Sequence, residues 1–488
     1  MVRGKRFITG ICAAALCCGV VSCTPGTDSD SADSDGLPSA IELEEEDINV
    51  LNDIANEKLT TDELDDTYIT FLGNWDINPG EGQVMTPDVQ MFKDKYNGTI
   101  EYRPTTWDNR YVDLAKMVLT GDPPDFFSAM DMDAFPKGAI KKLFQPIDPY
   151  IDLDSDLWYN AKPICDAFTF NGEHYVAGIQ SYPQYVCVYN KKTIEECGLE
   201  DPAKLYWNNE WTWSKFSEMC RKFTDVKNDK YALDGWWYPQ ALNDTCGLPL
   251  ISLENGVLVN NMGKPQVKAV QELMYELQKD GVCFNRSTHN DSIRGGDVIG
   301  TGVGTHETLF YPVGLWAIED SPENVAAFGS VENGEIMFVP MPRMDDSDNY
   351  YVSARVDGYL LCSGAKNPEG FAAYMNCRMA TLTDAKEIGL KQLAEKYNWN
   401  EDMIRMRGEV VKIVNDHPIY DFQDGVYDEL NVLMQDHVRG VTMSTYDNYD
   451  TWNSVLNSQK KNVDKLIQTA NKDFSENSSG AVSSAPAQ

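Results

Sequence analysis

Between Thr67 and Ser128 the apolar pattern alternates between the spacing of a strand and that of a helix, and no other stretch restricts the fold as much. Thr67-Tyr68-Ile69-Thr70-Phe71-Leu72 is rich in β-branched and aromatic residues and stops at Gly73, as a core strand does. Pro87 to Tyr96 reads as a helix and Thr99 to Arg103 as a strand. Tyr111, Leu114, Ala115 and Val118 then fall at i, i+3, i+4 and i+7, one face of a helix. Gly121 with Pro123-Pro124 ends it, and Asp125-Phe126-Phe127-Ser128 starts a third strand. Strand, helix, strand, helix, strand predicts a parallel sheet with right-handed crossovers, and so an α/β fold. Later stripes at Phe216, Met219, Cys220 and Phe223, at Val267, Val270, Met274 and Leu277, and at Phe371, Ala372, Met375 and Met379 mark helices whose apolar faces build a core.

The two ends do not share this pattern. Arg3, Lys5 and Arg6 precede an apolar run from Phe7 to Val21, too short for the roughly 20 residues of a comfortable span. A basic start before a short apolar run is the layout of a secretory leader. Val20-Val21-Ser22-Cys23 resembles the bacterial lipobox, which implies a lipid-modified Cys23 at a new N-terminus. Residues 1–22 are therefore expected to be a lipoprotein signal peptide. Residues 23–66, rich in Ser, Asp, Glu and Gly, are expected to be a flexible acidic tether. From about Ser475 the chain is Ser, Gly, Ala and Pro, so 473–488 reads as a disordered tail. The remaining residues, roughly 400, suffice for two lobes.

The formal net charge of -35 excludes a nucleic-acid partner, since phosphate binding is driven by Lys and Arg. It also argues against a strongly anionic ligand. Eight cysteines follow Cys23 without any CxxC pair, and they read best as small buried hydrophobes, although connectivity cannot be read from spacing. Five histidines show no HxxxH spacing, so no metal is expected. Gly300-Thr301-Gly302-Val303-Gly304 lacks dinucleotide spacing and reads as a hinge loop. Asp152, Asp154 and Asp156 begin like a calcium loop, but Leu157 stands where its glycine belongs. Neither a cofactor nor a nucleophile–base pair is indicated.

A string of landmarks resembles the family 1 extracellular solute-binding proteins, the maltose-binding-protein-like sugar receptors of ABC transporters. Phe71-Leu72-Gly73-Asn74-Trp75 is similar to the family's opening strand, and Leu114 to Asp125 to its helix, glycine and Pro-Asp strand entry. Leu143 to Ile151 matches the stretch closing the next loop. Asn171 to Gly178 with Val186 to Lys192 looks like its hinge segment, and Trp211 to Phe216 like its Thr-Trp helix start. Arg355 to Leu360, leading into Lys366 to Phe371, follows in the family's order. The small-residue stretch is matched only loosely, by Gly302 to Trp316.

The resemblance implies a two-lobed periplasmic-binding-protein-like fold of class II type, with a ligand cleft between lobes that hinge shut. By it, 67–180 with 303–357 form the first lobe and 181–302 with 358–472 the second. The chain would cross between them near Ile179–Tyr182, Gly302 and Gly358. It further implies a small-molecule ligand, an oligosaccharide first of all, and docking of a monomer on membrane permease subunits of an ABC importer. The chain would hang from the outer face of the cell membrane by Cys23.

A sugar presents an apolar face and a rim of hydroxyls, so its site needs flat aromatic platforms with Asp, Asn or Gln at the rim. Mapped onto the family's cleft loops, the candidates are Trp75, Trp107, Asp131, Gln180, Tyr182, Trp236, Trp237, Tyr238, Tyr311, Trp316 and Asp357. Trp75 and Trp107 suit core packing equally well. Trp236-Trp237-Tyr238 fits neither strand alternation nor a helical stripe, which favours exposure in the cleft. Two other functions fit the composition: a lipid-anchored carbohydrate-active enzyme, needing two carboxylates across a sugar subsite, and a surface sugar sensor or adhesin.

Overall fold

The computed structural model describes residues 40–59, 63–81, 83–284, 302–319, 325–444 and 449–480. The leader, Cys23, the start of the tether, Gly300-Thr301 and the tail beyond Gly480 lie outside the described residues.

Thirteen strands follow in order: β1 (Tyr68–Gly73), β2 (Thr99–Pro104), β3 (Phe126–Ser128), β4 (Thr169–Phe170), β5 (Glu173–His174), β6 (Val176–Pro183), β7 (Val186–Asn190), β8 (Tyr231–Leu233), β9 (Ile251–Glu254), β10 (Val257–Asn260), β11 (Thr308–Val313), β12 (Ile336–Val339) and β13 (Ala354–Leu361). Two sheets carry the fold. The first has the order β2-β1-β3-β13-β6 and the second β12-β7-β11-β8. β1 runs parallel to β2 and β3 as the alternation predicts, with the helices Pro87–Tyr96 and Arg110–Thr120 as the crossovers. β13 returns antiparallel between β3 and β6. Helix Arg110–Thr120 ends where Gly121 takes a left-handed φ of 77° and its N–H caps the last turn.

One face of the first sheet packs a core of its own while its other face joins the core of the second sheet, and the fold is two-lobed. Phe71, Phe126, Tyr359, Phe371 and Tyr374 interlock on the first sheet at centroid separations from 5.1 Å to 5.9 Å. Trp211, Phe216 and Phe310 do the same on the second.

The expected lobe boundaries need correcting. β11 and β12, within 303–357, pair with β7 of the second sheet (Tyr311↔Val188, Phe338↔Val188). β13 and the helix Pro368–Asp384 complete the first lobe. The chain crosses between sheets at Gln184-Tyr185 and again within 340–353. No crossing occurs near Gly302, because β8 and β11 on either side of it are neighbours in one sheet, and Gly358 lies inside β13. Strand partners here are far apart in the sequence, and their pairing is set by matching buried faces rather than by local pattern.

The tether and tail also differ from expectation. Glu45–Lys58 is a helix with Leu51, Ile54 and Ala55 buried, seated by an ion pair of 3.1 Å between Asp47 and Lys391. Three apolar residues on one face suffice to dock it, and Glu45, Glu46 and Asp47 suit the positive end of its dipole. The last helix, Trp452–Gly480, runs into the expected tail, since an established helix gains one hydrogen bond for each residue it adds. Among the described residues no helix is long and apolar enough to cross a membrane. Cys165, Cys187, Cys220, Cys246, Cys283, Cys362 and Cys377 are free and buried, and Cys197 is free and half-buried.

Candidate functional site

The lobes meet where the loop after β3 faces the second lobe. The N–H of Lys137 donates to the Gly425 carbonyl at 2.8 Å, and the Lys137 ammonium pairs with Asp428 at 3.2 Å. Asp131 and Asp133 on this loop stand beside Arg110, which opens the helix after β2. Arg110 is ion-paired to Asp133 and lies 3.6 Å above the Trp107 ring. Burial and the neighbouring Asp133 charge push the Asp131 carboxyl up to about 6, while Arg110 and Arg355 pull the other way.

The facing wall is aromatic. Tyr185, at the crossing between sheets, stacks on Trp237 at 6.3 Å and 23°, and Trp237 meets Trp316 edge-on at 6.1 Å and 88°. Trp316 leaves 37% of its surface exposed. Behind the shelf, Arg439 donates to Asp424 at 2.9 Å and to Gln240 at 3.3 Å. Burial raises the Tyr185 hydroxyl, and the charges of Arg439, Asp424 and Asp131 all act on it. Asp424 likewise acts on Asp133. The two walls therefore share one electrostatic environment.

The sequence candidates divide accordingly. Trp107 and Asp131 stand on one wall, and Trp237 and Trp316 on the other. Trp236 is half-buried next to them in sequence. Tyr182 is buried at the end of β6, its hydroxyl on Glu319 at 2.7 Å. Trp75 packs against Phe71 at 5.3 Å with 38% of its surface exposed, apart from the shelf.

Four candidates turn away from the shelf. Tyr238 and Tyr311 are fully buried. The aromatic run is not all displayed, because the chain turns at Gly235 and a helix starts at Tyr238, whose first turn aims that ring into the core. Asp357 is held by Arg378 at 2.7 Å and by Gln180 at 3.2 Å, and Arg378 also holds Asp88 at 2.6 Å. Gln180 and Asp357 thus belong to a network inside the first lobe. Arg110, Tyr185, Gln240, Arg355, Asp424 and Arg439 were not foreseen. Two of them carried a signal: Tyr185 lies between the two hinge-like stretches, and Arg355 opens the landmark that runs to Leu360.

Four carboxylates and four guanidiniums gather around this junction: Asp131, Asp133, Glu319 and Asp424 against Arg110, Arg355, Arg407 and Arg439. Three ion pairs form, Arg110–Asp133, Arg407–Glu319 and Arg439–Asp424. The side chains of Asp131 and Arg355 make no hydrogen bond or ion pair within the described residues, and the Arg355 charge acts on Asp131. Asp131 and Arg355 remain as one acceptor and one donor group beside an aromatic shelf, with the buried carboxyls Asp244 and Asp421 and the Lys137 ammonium acting on the groups around them.

The fold is shared with solved structures of low identity. An ABC substrate-binding protein from Listeria monocytogenes, solved with cycloalternan, is 17% identical at a TM-score of 0.56, over 83% of this chain and 100% of that one. The galacto-N-biose/lacto-N-biose I-binding protein of Bifidobacterium longum, with lacto-N-biose, is 14% identical at 0.56 over 83% and 99%. The GacH receptor of Streptomyces glaucescens, solved unliganded and with acarbose, is 14% identical at 0.57 over 82% and 98%. No curated protein sequence matches the chain. A family model described as bacterial extracellular solute-binding protein matches residues 89–384, over half of the chain, from the first crossover helix through the helix that completes the first lobe. With two sheets joined by two crossings and an aromatic wall facing charged side chains where they meet, the chain belongs to the bacterial extracellular solute-binding protein family.

Proposed function

We propose that this protein captures a neutral carbohydrate, an oligosaccharide, between its lobes and delivers it to an ABC importer while held at the membrane through a lipidated Cys23. The observation that carries the reading is the Tyr185–Trp237–Trp316 shelf facing Asp131 and Arg355. Flat rings match the C–H face of a pyranose, and a carboxylate with a guanidinium reads hydroxyls as acceptor and donor. An uncharged guest is favoured, because the ion pairs already formed around the shelf leave Arg110, Arg407 and Arg439 engaged and a charged guest would be poorly compensated in a partly desolvated cleft. Trp107 would offer the ring face that Arg110 leaves open. The crossings at Gln184-Tyr185 and within 340–353 are short enough to act as hinges.

The deciding experiment is calorimetric titration against a panel of neutral oligosaccharides, with chromatography of the mixture afterwards. One-to-one binding with the sugar recovered intact supports the receptor. Released product would make the chain an enzyme instead, and saturable binding to an insoluble polysaccharide alone would favour an adhesin. The likeness of fold to oligosaccharide-binding receptors supports the sugar reading. The anchor is tested separately: Cys23→Ala should move the protein from the membrane fraction to the soluble one.

A further inference from the structure

Trp316 is the most exposed ring of the shelf, yet it rides on a single turn rather than on a strand. Backbone bonds close that turn: Ala317 N–H to the Gly314 carbonyl at 3.0 Å, and Ile318 and Glu319 N–H to the Leu315 carbonyl at 2.9 Å each. The ring folds back over Gly314 so closely that a Cβ there would lie 2.2 Å from its Nε1. A lone turn of this kind leaves a large side chain free to swing.

Two anchors hold it from behind. The indole N–H of Trp399 donates to the Ile318 carbonyl at 2.7 Å. The Glu319 carboxylate accepts the Tyr182 hydroxyl at 2.7 Å from both oxygens and Arg407 Nε at 2.6 Å. Arg407 Nη2 also donates to the Tyr182 oxygen at 3.2 Å, closing a three-membered network. Tyr182 belongs to β6 of the first sheet, Glu319 follows β11 of the second, and Arg407 lies on the helix Glu401–Asp416 that packs on both β6 and β12. The Arg355 guanidinium sits over the other part of the Tyr182 ring, 5.3 Å from its centre.

We propose that Glu319, Arg407 and Tyr182 are positioning residues for Trp316. They fix its turn against the strand that crosses between the lobes, so the shelf is set before a guest arrives and follows that strand when the lobes rotate. None of the three needs to touch the guest. Their contribution is preorganisation, since a ring already ordered costs less to immobilise on binding. The idea rests on the carbohydrate reading of the cleft only for its effect on affinity.

Fluorine NMR of protein labelled with fluorotryptophan tests it without any sugar, with the Trp316 line assigned by Trp316→Phe. Tyr182→Phe, which keeps the ring, and Glu319→Ala should each shift or broaden that line while the melting temperature stays within a few degrees. Glu319→Gln, which retains an acceptor for Tyr182, should restore most of it. In a maltotetraose titration the first two variants should bind about three- to tenfold more weakly. A Trp316 line that coincides with wild type in both variants overturns the proposal, as does weaker binding without any change in that line. Trp316→Ala in the same titration asks the separate question of whether the ring stacks on sugar at all.

Discussion

Two buried networks place a guanidinium between oxygen acceptors, and they serve opposite ends. Inside the first lobe, Arg378 joins Asp88 on the helix Pro87–Tyr96 to Asp357 on β13, and Tyr374 donates to Asp88 at 2.9 Å. Between the lobes, Arg407 joins Glu319 to Tyr182. The first sets two carboxylates on one guanidinium and knits elements that must not move. The second sets one carboxylate on one guanidinium and spans elements that the proposed closure rotates. The same side chains therefore make a rigid body in one place and an adjustable junction in the other, according to which elements they connect.

Removing each hub should separate the two roles. Arg378→Met strands two buried carboxylates and should cost about 3–5 kcal/mol of stability in chemical denaturation, with sugar affinity of the folded protein unchanged. A smaller loss than that from Arg407→Met would break the comparison. Next in size is Gly425→Ala. A Cβ at Gly425 would lie 2.1 Å from the Phe135 carbonyl oxygen and 2.7 Å from that of Met132, both on the facing lobe. Overpacking there should cost about 1–3 kcal/mol and enlarge the radius of gyration, read by small-angle scattering.

Trp237→Ala leaves both networks intact and should weaken sugar binding by roughly 1–3 kcal/mol with little change in melting temperature. Acidity offers a finer cut. Burial and the Asp133 charge push Asp131 up to about 6. Its carboxyl is a stronger acceptor ionised than protonated, so affinity should fall as pH drops through that value, and Asp131→Asn should flatten the profile in calorimetry. Within the first lobe, burial raises Asp88, but Arg378 with the Thr86 and Tyr374 hydroxyls outweighs it and holds the carboxyl low. That stability is present above the unfolded value and is lost as pH falls through the folded one. The smallest effect belongs to His174, which bonds Asp148 at 2.6 Å and Asp166 at 2.9 Å. Burial lowers it and the two carboxylates prevail, so it is raised. Its stabilisation should be complete below the unfolded value and vanish as pH rises through the folded one, a slope that His174→Gln should remove from melting curves.

Local pattern carried the first lobe's opening well, because Pro87, Gly121 and the apolar stripe from Tyr111 to Val118 state their structure within a few residues of themselves. The helix Glu45–Lys58 was hidden by its acidic surroundings, although Leu51, Ile54 and Ala55 already had helical spacing. The exchange of β11, β12 and β13 between lobes could not be read, since each pairs with strands far away in the sequence. In the site, Trp237 and Trp316 were visible as aromatics beside breaks in the pattern. Asp357 misled because its partner Arg378 lies 21 residues further on, and no spacing announces that a carboxylate is already taken. Arg110 is far in sequence from Asp424 and Arg439, which flank one helix, and the three acquire meaning only when the lobes meet.

The thiols have a consequence for how such a chain can mature. Burial pushes Cys165, Cys246 and Cys283 up to about 12, so they stay protonated and unreactive at any physiological acidity. Assembly of this fold therefore needs no oxidant and no disulfide exchange at these three positions.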